Sequence, residues 1–463
     1  AETYCLQVYE KLALDPNVKP TLAKEGVEPL VGHYIQKIYV PEKNKDKDKD
    51  KDIAEVRSDV HNGVVQKVWT LEQYPLMKDY LAGANPFIDL VGEAVRKPAY
   101  RSPSVRKNEN DPMLGIDRQN CHINREIARS VQARANYRIG IGDIDGAIYD
   151  TITIHRLGRH VSKLGTLVGS LVGLAIEGSA AGVGGNPEHQ PTKGQLEHFL
   201  KEIQSLPDRC TFAECLETER FFGLGSIQDT FRSDFYVNTG DGIWEFDVLA
   251  KWLWLRWSLD RNAVLRQFND FFAQAKQTAA VFDEKSFVKS RVSSNPFRYL
   301  SVRSRSENIS NILLNLFVPA TDAARKAFDR SDCCDNMKCL TLALLLYEKE
   351  HSGKMPEGDW QTWQAAIKPY LGKEADKYFH CPSAGSPEET AYVLVRYDNA
   401  VPVTPETILP AEAEKMNVPN TNGLIPNEQG LFTSKHPGVY YTALHSGAVQ
   451  GQSKQKPKGQ QTK

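Results

Sequence analysis

The side chains with the widest chemical range in this sequence are its eight cysteines. An even number of thiols permits a full set of disulfides but does not require one. No Cys-x-x-Cys spacing occurs, so the sequence favours neither a zinc ribbon nor covalent haem attachment. Cys210 and Cys215 are close enough in sequence to form a local disulfide pair. Cys381 follows a histidine for which no orienting partner can be identified, so we interpret it as an inert thiol or half of a disulfide.

Two further motifs approach ligand sites but lack the required context. The stretch from Gly140 to Gly146 resembles a dinucleotide-binding loop, yet its third glycine comes one place late and a helical pattern precedes it. His155 and His160 are five residues apart, whereas metal ligands on one helix face need a spacing of three or four, and the arginines between them disfavour a cation. The sequence therefore predicts no catalytic, cofactor-binding or metal-binding residue, and no cofactor.

The overall composition is that of an ordinary globular protein. The 463 residues are 41% hydrophobic and 25% charged, with a formal net charge of -1, and this length predicts two or three domains. Because the charges balance, we expect no nucleic-acid partner. The most apolar run, residues 164–181, predicts a small-residue helix packed on a neighbour. The chain opens at Ala1, either after signal removal or as a trimmed piece, so any membrane attachment would need a segment absent from it.

Hydrophobic periodicity predicts a mainly helical chain with a smaller α+β part. Residues 117–183 are the clearest helical block, and the turn at residues 140–146 predicts a helical hairpin of tetratricopeptide-like type. No strict repeat period is found, so we predict an irregular helical array over residues 1–310. An alternating Lys-Asp stretch predicts a loop at 43–52, and a segment rich in Pro, Ser and Arg predicts another at 98–116.

A second unit, predicted over residues 311–450, combines helix with strand. Its first part is amphipathic and helical as far as Glu350. Short apolar stretches at 391–397 and 438–444 then predict strands. Residues 451–463 are polar and predict a disordered tail.

This second unit resembles the soluble part of type II secretion pseudopilins. Cys333-Cys334-Asp335-Asn336-Met337-Lys338 is similar to the family's Cys-x-Asn-Asn-Leu-Arg segment, and Phe379-His380-Cys381-Pro382 is similar to its Phe-x-Cys-Pro. The stretch Leu444 to Val449 resembles the closing Asp-Gly-x-Val hairpin, with Ser446 in place of Asp. The resemblance implies a pilin-like α+β domain and a disulfide between Cys333 and Cys381.

The upstream part resembles helical planctomycete proteins. The stretches that carry this resemblance are Gly142 to Ala147, Leu157 to His160 and Leu259 to Arg266. Together the two resemblances imply an extracytoplasmic protein. In a true pilin the apolar helix leads the chain, whereas here a long helical part precedes it, so pilus assembly by the standard route is not expected.

Two functions stay open from the sequence. Helical arrays offer extended surfaces that commonly bind proteins, so the first hypothesis is a non-enzymatic structural or protein-interaction component of the cell envelope or of a larger assembly. A protein partner or self-association follows from that hypothesis. The alternative is a hydrolase-type enzyme with its site in a cleft between domains. An enzyme would need acid, base or nucleophilic side chains positioned together.

Overall fold

The chain folds mainly into helices, as the sequence predicts. A computed structural model describes residues 29–38, 47–98, 119–163, 165–180, 188–230, 260–277, 301–354, 356, 360–380, 392–394, 430–436, 439–444 and 449–453. The helices are α1 (Val31–Ile38), α2 (Lys47–Gln66), α3 (Met77–Val95), α4 (Gln119–Gly140), α5 (Ile144–Ser162), α6 (Leu167–Gly178), α7 (Lys193–Gln204), α8 (Phe212–Thr230), α9 (Arg261–Gln277), α10 (Val302–Glu350) and α11 (Trp360–Leu371), followed by a 3₁₀ turn (Ala375–Phe379).

Four strands follow the helices and form one antiparallel sheet. They are β1 (Tyr392–Leu394), β2 (Gly430–His436), β3 (Val439–Leu444) and β4 (Val449–Ser453), which pair in chain order. One row of the register runs from Val393 through Thr433 and Thr442 to Gln450. The predicted stretches at 391–397 and 438–444 thus contain β1 and β3. The pilin-like domain itself stays a prediction.

The turn between α4 and α5 is built from local hydrogen bonds. Gly142 has φ of 80°, a conformation that glycine adopts without steric cost. Asp143 caps α5, because its carboxylate accepts a hydrogen bond from the backbone N–H of Gly146 at 3.0 Å. The two helices pack along each other beyond this turn. The tetratricopeptide-like arrangement of the whole array stays a prediction.

Two large hydrophobic clusters share the helices α4 and α5. The first cluster joins these helices to α1, α2, α3 and α6. The second joins them to α7, the C-terminal half of α10, α11 and the 3₁₀ turn. Helix α10 runs without a break through residues 310 and 311, where the sequence predicts a domain boundary.

Two predicted irregular segments contain regular structure. The loop predicted at 43–52 is wrong from Lys47 onward, because α2 begins there. Once a helix is nucleated by the stronger pattern downstream, it extends at low cost into a segment of weaker helical preference. The tail predicted at 451–463 is wrong for its first three residues, which belong to β4 and pair with β3. Of the loop predicted at 98–116, residues 99–116 lie outside the described part of the chain.

Helices α5 and α6 touch through two glycines, as expected for the small-residue run at 164–181. Thr166 caps α6, because its hydroxyl accepts a hydrogen bond from the backbone N–H of Gly169. A methyl group on Gly158 would lie 2.5 Å from Glu177 Cγ and 2.7 Å from the carbonyl oxygen of Gly173. A methyl group on Gly173 would lie 2.5 Å from the carbonyl oxygen of Gly158. Neither position can hold a side chain without separating the helices.

We predict that Gly173→Ala lowers the free energy of unfolding by about 1–3 kcal/mol, because the methyl group overpacks a backbone contact. Urea denaturation would measure the change. Gly178→Ala is the matched control, since nothing lies within 4 Å of a methyl group there. The control should be neutral or stabilising by up to about 1 kcal/mol. Equal effects at the two glycines would contradict the close contact.

Candidate functional site: a buried ion cluster

Five charged side chains from four parts of the chain meet beside the contact between α5 and α6. The close approach of these helices places Arg159 of α5 next to Glu177 of α6, with 2.7 Å between Arg159 Nε and Glu177 Oε2. Arg209 enters from the segment before α8, and Asp332 and Asp335 from α10. We call these five residues the ion cluster. It joins α10 to the helical array.

Each arginine of the ion cluster contacts both Glu177 and Asp335, the two inner carboxylates. Arg159 Nη2 donates to Asp335 Oδ2 at 2.5 Å, and Arg209 Nη2 donates to the same oxygen at 2.5 Å. Arg209 Nη2 also donates to Glu177 Oε2 at 3.0 Å. Arg209 Nη1 donates to Asp332 on the outer side of the cluster. The Glu177 side chain is only 2% exposed, so these contacts replace water for a fully buried charge.

The charges of the cluster come close to balance. Arg159 and Arg209, together with the neighbouring Lys338, face the carboxylates of Glu177, Asp332 and Asp335. Burial alone would raise the pKa of Asp335, but the guanidinium groups of Arg209 and Arg159 outweigh it and hold that pKa below its ordinary value. Asp335 is therefore ionised at neutral pH, and the arginines keep their partner.

His155 of α5 lies at the edge of the ion cluster. Its Nε2 is 3.2 Å from Lys338 Nζ, and its Nδ1 has no hydrogen-bond partner among the described residues. Burial and the charge of Lys338 lower the pKa of His155 well below its ordinary value. A neutral imidazole therefore accepts from the ammonium group through Nε2, which leaves the proton on Nδ1.

The cluster offers a set of metal-ligand atoms, but they are already engaged by cations. His155, Glu177 and Asp335 each present one ligand atom, and these atoms lie within 4.8 Å of one another. One nitrogen and two oxygens would suit a divalent transition metal. However, two guanidinium groups bind the carboxylates, and Lys338 contacts the imidazole. A metal ion would add positive charge where the side chains already supply it, so the arrangement suits cohesion of the helices better.

The structure does not bring the two histidines of α5 to one site. His160 Nε2 is 2.8 Å from the carbonyl oxygen of Val95 in α3, whereas His155 faces Lys338 of α10. The sequence reasoning missed Glu177, Arg209 and Asp335. One signal was present: a single carboxylate in the apolar helix around Glu177 needs a buried partner.

A second buried ion pair fixes α4 against α5. Arg134 donates to both carboxylate oxygens of Asp150, at 3.0 and 2.6 Å, and also to Asp89 of α3 at 2.6 Å. Arg138 Nη1 lies 3.0 Å from Asp150 Oδ2. The geometry is bidentate and no thiol or imidazole is involved. We interpret it as structural.

The structure describes both cysteines of one predicted pair but only one cysteine of the other. Cys210 and Cys215 adjoin each other as thiols, with 3.4 Å between their sulfur atoms. Cys333 is buried, but Cys381 lies outside the described residues. The bridge between Cys333 and Cys381 therefore stays a prediction.

We predict that Glu177→Gln lowers the free energy of unfolding by about 3–5 kcal/mol, because it leaves two buried guanidinium groups short of a charge partner. Asp208→Asn makes the same change of charge on an exposed residue one position from Arg209 and should alter stability by less than about 0.5 kcal/mol. Urea denaturation would measure both. In a double-mutant cycle, the loss from Glu177→Gln should shrink when Arg209→Gln is already present. Strict additivity would contradict the cluster.

The two histidines of α5 predict a pH dependence of stability. Burial lowers the pKa of His160 to about 4, and that of His155 falls as well, so the unfolded chain binds protons below pH about 6.5 that the folded chain does not. The free energy of unfolding should fall by about 1.2 kcal/mol for each histidine between pH 6 and 5. His155→Gln and His160→Gln should each remove one such contribution to the slope. An unchanged slope in both variants would contradict the lowered pKa values.

Comparisons of the chain with protein-family models, curated proteins and solved structures gave no match. The resemblance to pseudopilins and to planctomycete proteins therefore stays a prediction. Across the part of the chain that the structure describes, none of the helices combines the length and the apolar character that a membrane span requires.

Proposed function

We propose that this protein is a non-enzymatic structural or protein-interaction component of the cell envelope or of a larger assembly. The observation that carries the proposal is the length of α10, which has 49 residues. At about 1.5 Å per residue this helix is about 74 Å long. A compact globule of 463 residues has a radius of gyration of about 23 Å, and hence a diameter of about 60 Å. A helix longer than that diameter suits a scaffold better than a closed enzyme core.

Helix α10 is fixed to the array at three places along its length. Near its start, Ser306 Oγ accepts from the backbone N–H of Asp260 at 2.8 Å. Farther along, the ion cluster binds Asp332 and Asp335. At its end, Glu350 Oε1 lies 2.6 Å from Lys193 Nζ of α7. Contacts at these places hold α10 and the helices that pack against it in a fixed arrangement.

The ion cluster supports a structural role for a second reason. Asp335 is engaged by the guanidinium groups of Arg159 and Arg209, which hold its pKa below its ordinary value. A general acid or base works best when its pKa lies near the operating pH. Charges locked in this way stabilise a contact between helices and are poorly suited to exchange protons with a substrate.

The partner and the location in this proposal rest on the sequence. The resemblance to pseudopilins and planctomycete proteins supports an extracytoplasmic setting, and the helical array supports a protein partner or self-association. The balanced net charge of -1 gives no support to a nucleic-acid partner.

A hydrolase is the alternative, and one observation favours it. The neutral imidazole of His155 lies beside Glu177 and Asp335, with Nδ1 unpartnered among the described residues. Its Nε2 could serve as a base if the cluster opened to a substrate and Lys338 no longer donated to that nitrogen. His155 is 1% exposed, so catalysis would need a rearrangement around α10. If the protein is a hydrolase that uses this group, His155→Gln should abolish turnover found in a substrate screen while leaving the circular dichroism spectrum unchanged.

The proposal predicts a defined oligomer or a co-purifying protein. Size exclusion with light scattering at several concentrations would measure the native mass. Leu76→Ser, Ile141→Ser and Phe221→Ser each remove an exposed apolar side chain from a different element, and the variant that lowers the mass would identify the contact face. Asp208→Asn is the control for a surface change without loss of an apolar group. A monomer at all concentrations, without a partner and with hydrolase activity that His155→Gln removes, would contradict the proposal.

A further inference from the structure

Helix α8 begins with a capping box that brings two cysteines together. The hydroxyl of Thr211 accepts from the backbone N–H of Glu214 at 3.2 Å, and the backbone N–H of Thr211 donates to Glu214 Oε2 at 2.7 Å. In a capping box, the residue before the cap often packs against the residue that follows the box, usually as an apolar pair. In this chain these two positions hold Cys210 and Cys215.

The two sulfur atoms are close to bonding distance. Cys210 Sγ and Cys215 Sγ are 3.4 Å apart, and Ser170 Oγ of α6 lies 2.9 Å from Cys215 Sγ. A disulfide has an S–S distance of about 2.05 Å. A movement of somewhat more than about 1 Å would therefore close the gap between the sulfur atoms.

The environment of the pair favours ionisation of one thiol. A hydrogen bond shared between the sulfurs lowers the pKa of Cys215 and raises that of Cys210. Cys215 is therefore the more acidic thiol of the pair. Cys210 is the more exposed residue of the two, with 9% of its surface exposed, whereas Cys215 is fully buried.

We propose that Cys210 and Cys215 form a reversible disulfide, by exchange with a small-molecule disulfide or a disulfide of another protein. The Cys210 thiol loses its proton as it attacks one sulfur of the donor disulfide, and a mixed disulfide forms as the first donor thiol leaves with that proton. The Cys215 thiolate then attacks the Cys210 sulfur, which forms the new S–S bond and releases the second donor thiol. The two protons lost by the cysteines end on the two donor thiols, and the donor is reduced.

The disulfide would secure the docking of α10. Cys210 directly follows Arg209, which binds Glu177, Asp332 and Asp335. Both cysteines pack in one apolar cluster with residues of α10, and the first helical residue of α8, Phe212, meets Phe328 of α10 at 5.9 Å between ring centroids. A covalent bond between Cys210 and Cys215 restricts the backbone that carries Arg209. The inference does not depend on the proposed function.

Treatment of the folded, reduced protein with oxidised glutathione would test the disulfide. Trypsin releases residues 210–220 as one peptide, because Arg209 precedes it and Arg220 ends it. After oxidation and alkylation we expect this peptide to carry no label and to weigh about 2 Da less than its reduced form. Reduction with dithiothreitol should restore two alkylation sites. Two labelled cysteines after oxidation, or a bond from either cysteine to another peptide, would overturn the proposal.

Variants and melting temperatures test the link to α10. Cys210→Ser should lose the unlabelled peptide and accept glutathione or label only at Cys215, and Cys215→Ala is the second variant should the first not fold. The oxidised protein should melt a few degrees higher than the reduced protein, because the bond restricts the unfolded chain and, in the folded protein, also holds the backbone that carries Arg209. In the Glu177→Gln background this gain should be smaller, because Arg209 has lost one of its partners. An equal gain in both backgrounds would overturn the link between the disulfide and the ion cluster.

Discussion

The fold depends on the need of one buried carboxylate, Glu177, for positive partners. The contact between Gly158 and Gly173 brings α5 and α6 so close that Glu177 is sealed from water. Arg159 and Arg209 meet its charge, and Asp335 then balances the two guanidinium groups. Removing an ion from water costs several kcal/mol, so any packing of α10 that breaks this pairing is strongly disfavoured. We infer that the ion cluster selects the position of α10 more than it adds net stability.

Local patterns in the sequence predict much of the helical structure, and long-range pairing explains what they miss. The glycines around residues 164–181 predict a helix in close contact with a neighbour, and α6 meets α5 in that way. The partners of Asp335 are beyond such reasoning, because Arg159 and Asp335 are 176 residues apart, and Arg209 and Asp335 are 126 residues apart. The sequence of each segment shows that it carries a charged residue, but it does not predict which distant segment supplies the oppositely charged partner.

Composition also misjudges where regular structure begins and ends. The Lys-Asp stretch has nothing to bury, yet α2 begins at Lys47, because a helix can extend from a stronger pattern at low cost once it is nucleated. Helix α10 continues through residue 311, where the predicted second unit begins, and its C-terminal half shares a hydrophobic cluster with α5 and α7. The ends of a helix depend on where its backbone hydrogen bonds stop, whereas the composition of a segment indicates only whether its side chains can be buried.

The two predicted cysteine pairs differ in whether the local sequence can predict that the two thiols lie close together. For Cys210 and Cys215 the sequence contains its own geometric reason, since Thr211 and Glu214 form a capping box and the cysteines flank it. One turn of helix fixes that distance whatever the rest of the chain does. A pairing between Cys333 and Cys381 has no such local constraint, because α10, α11 and the 3₁₀ turn would all have to bring the two together. The first pair can therefore be argued from the start of one helix, while the second requires the tertiary structure.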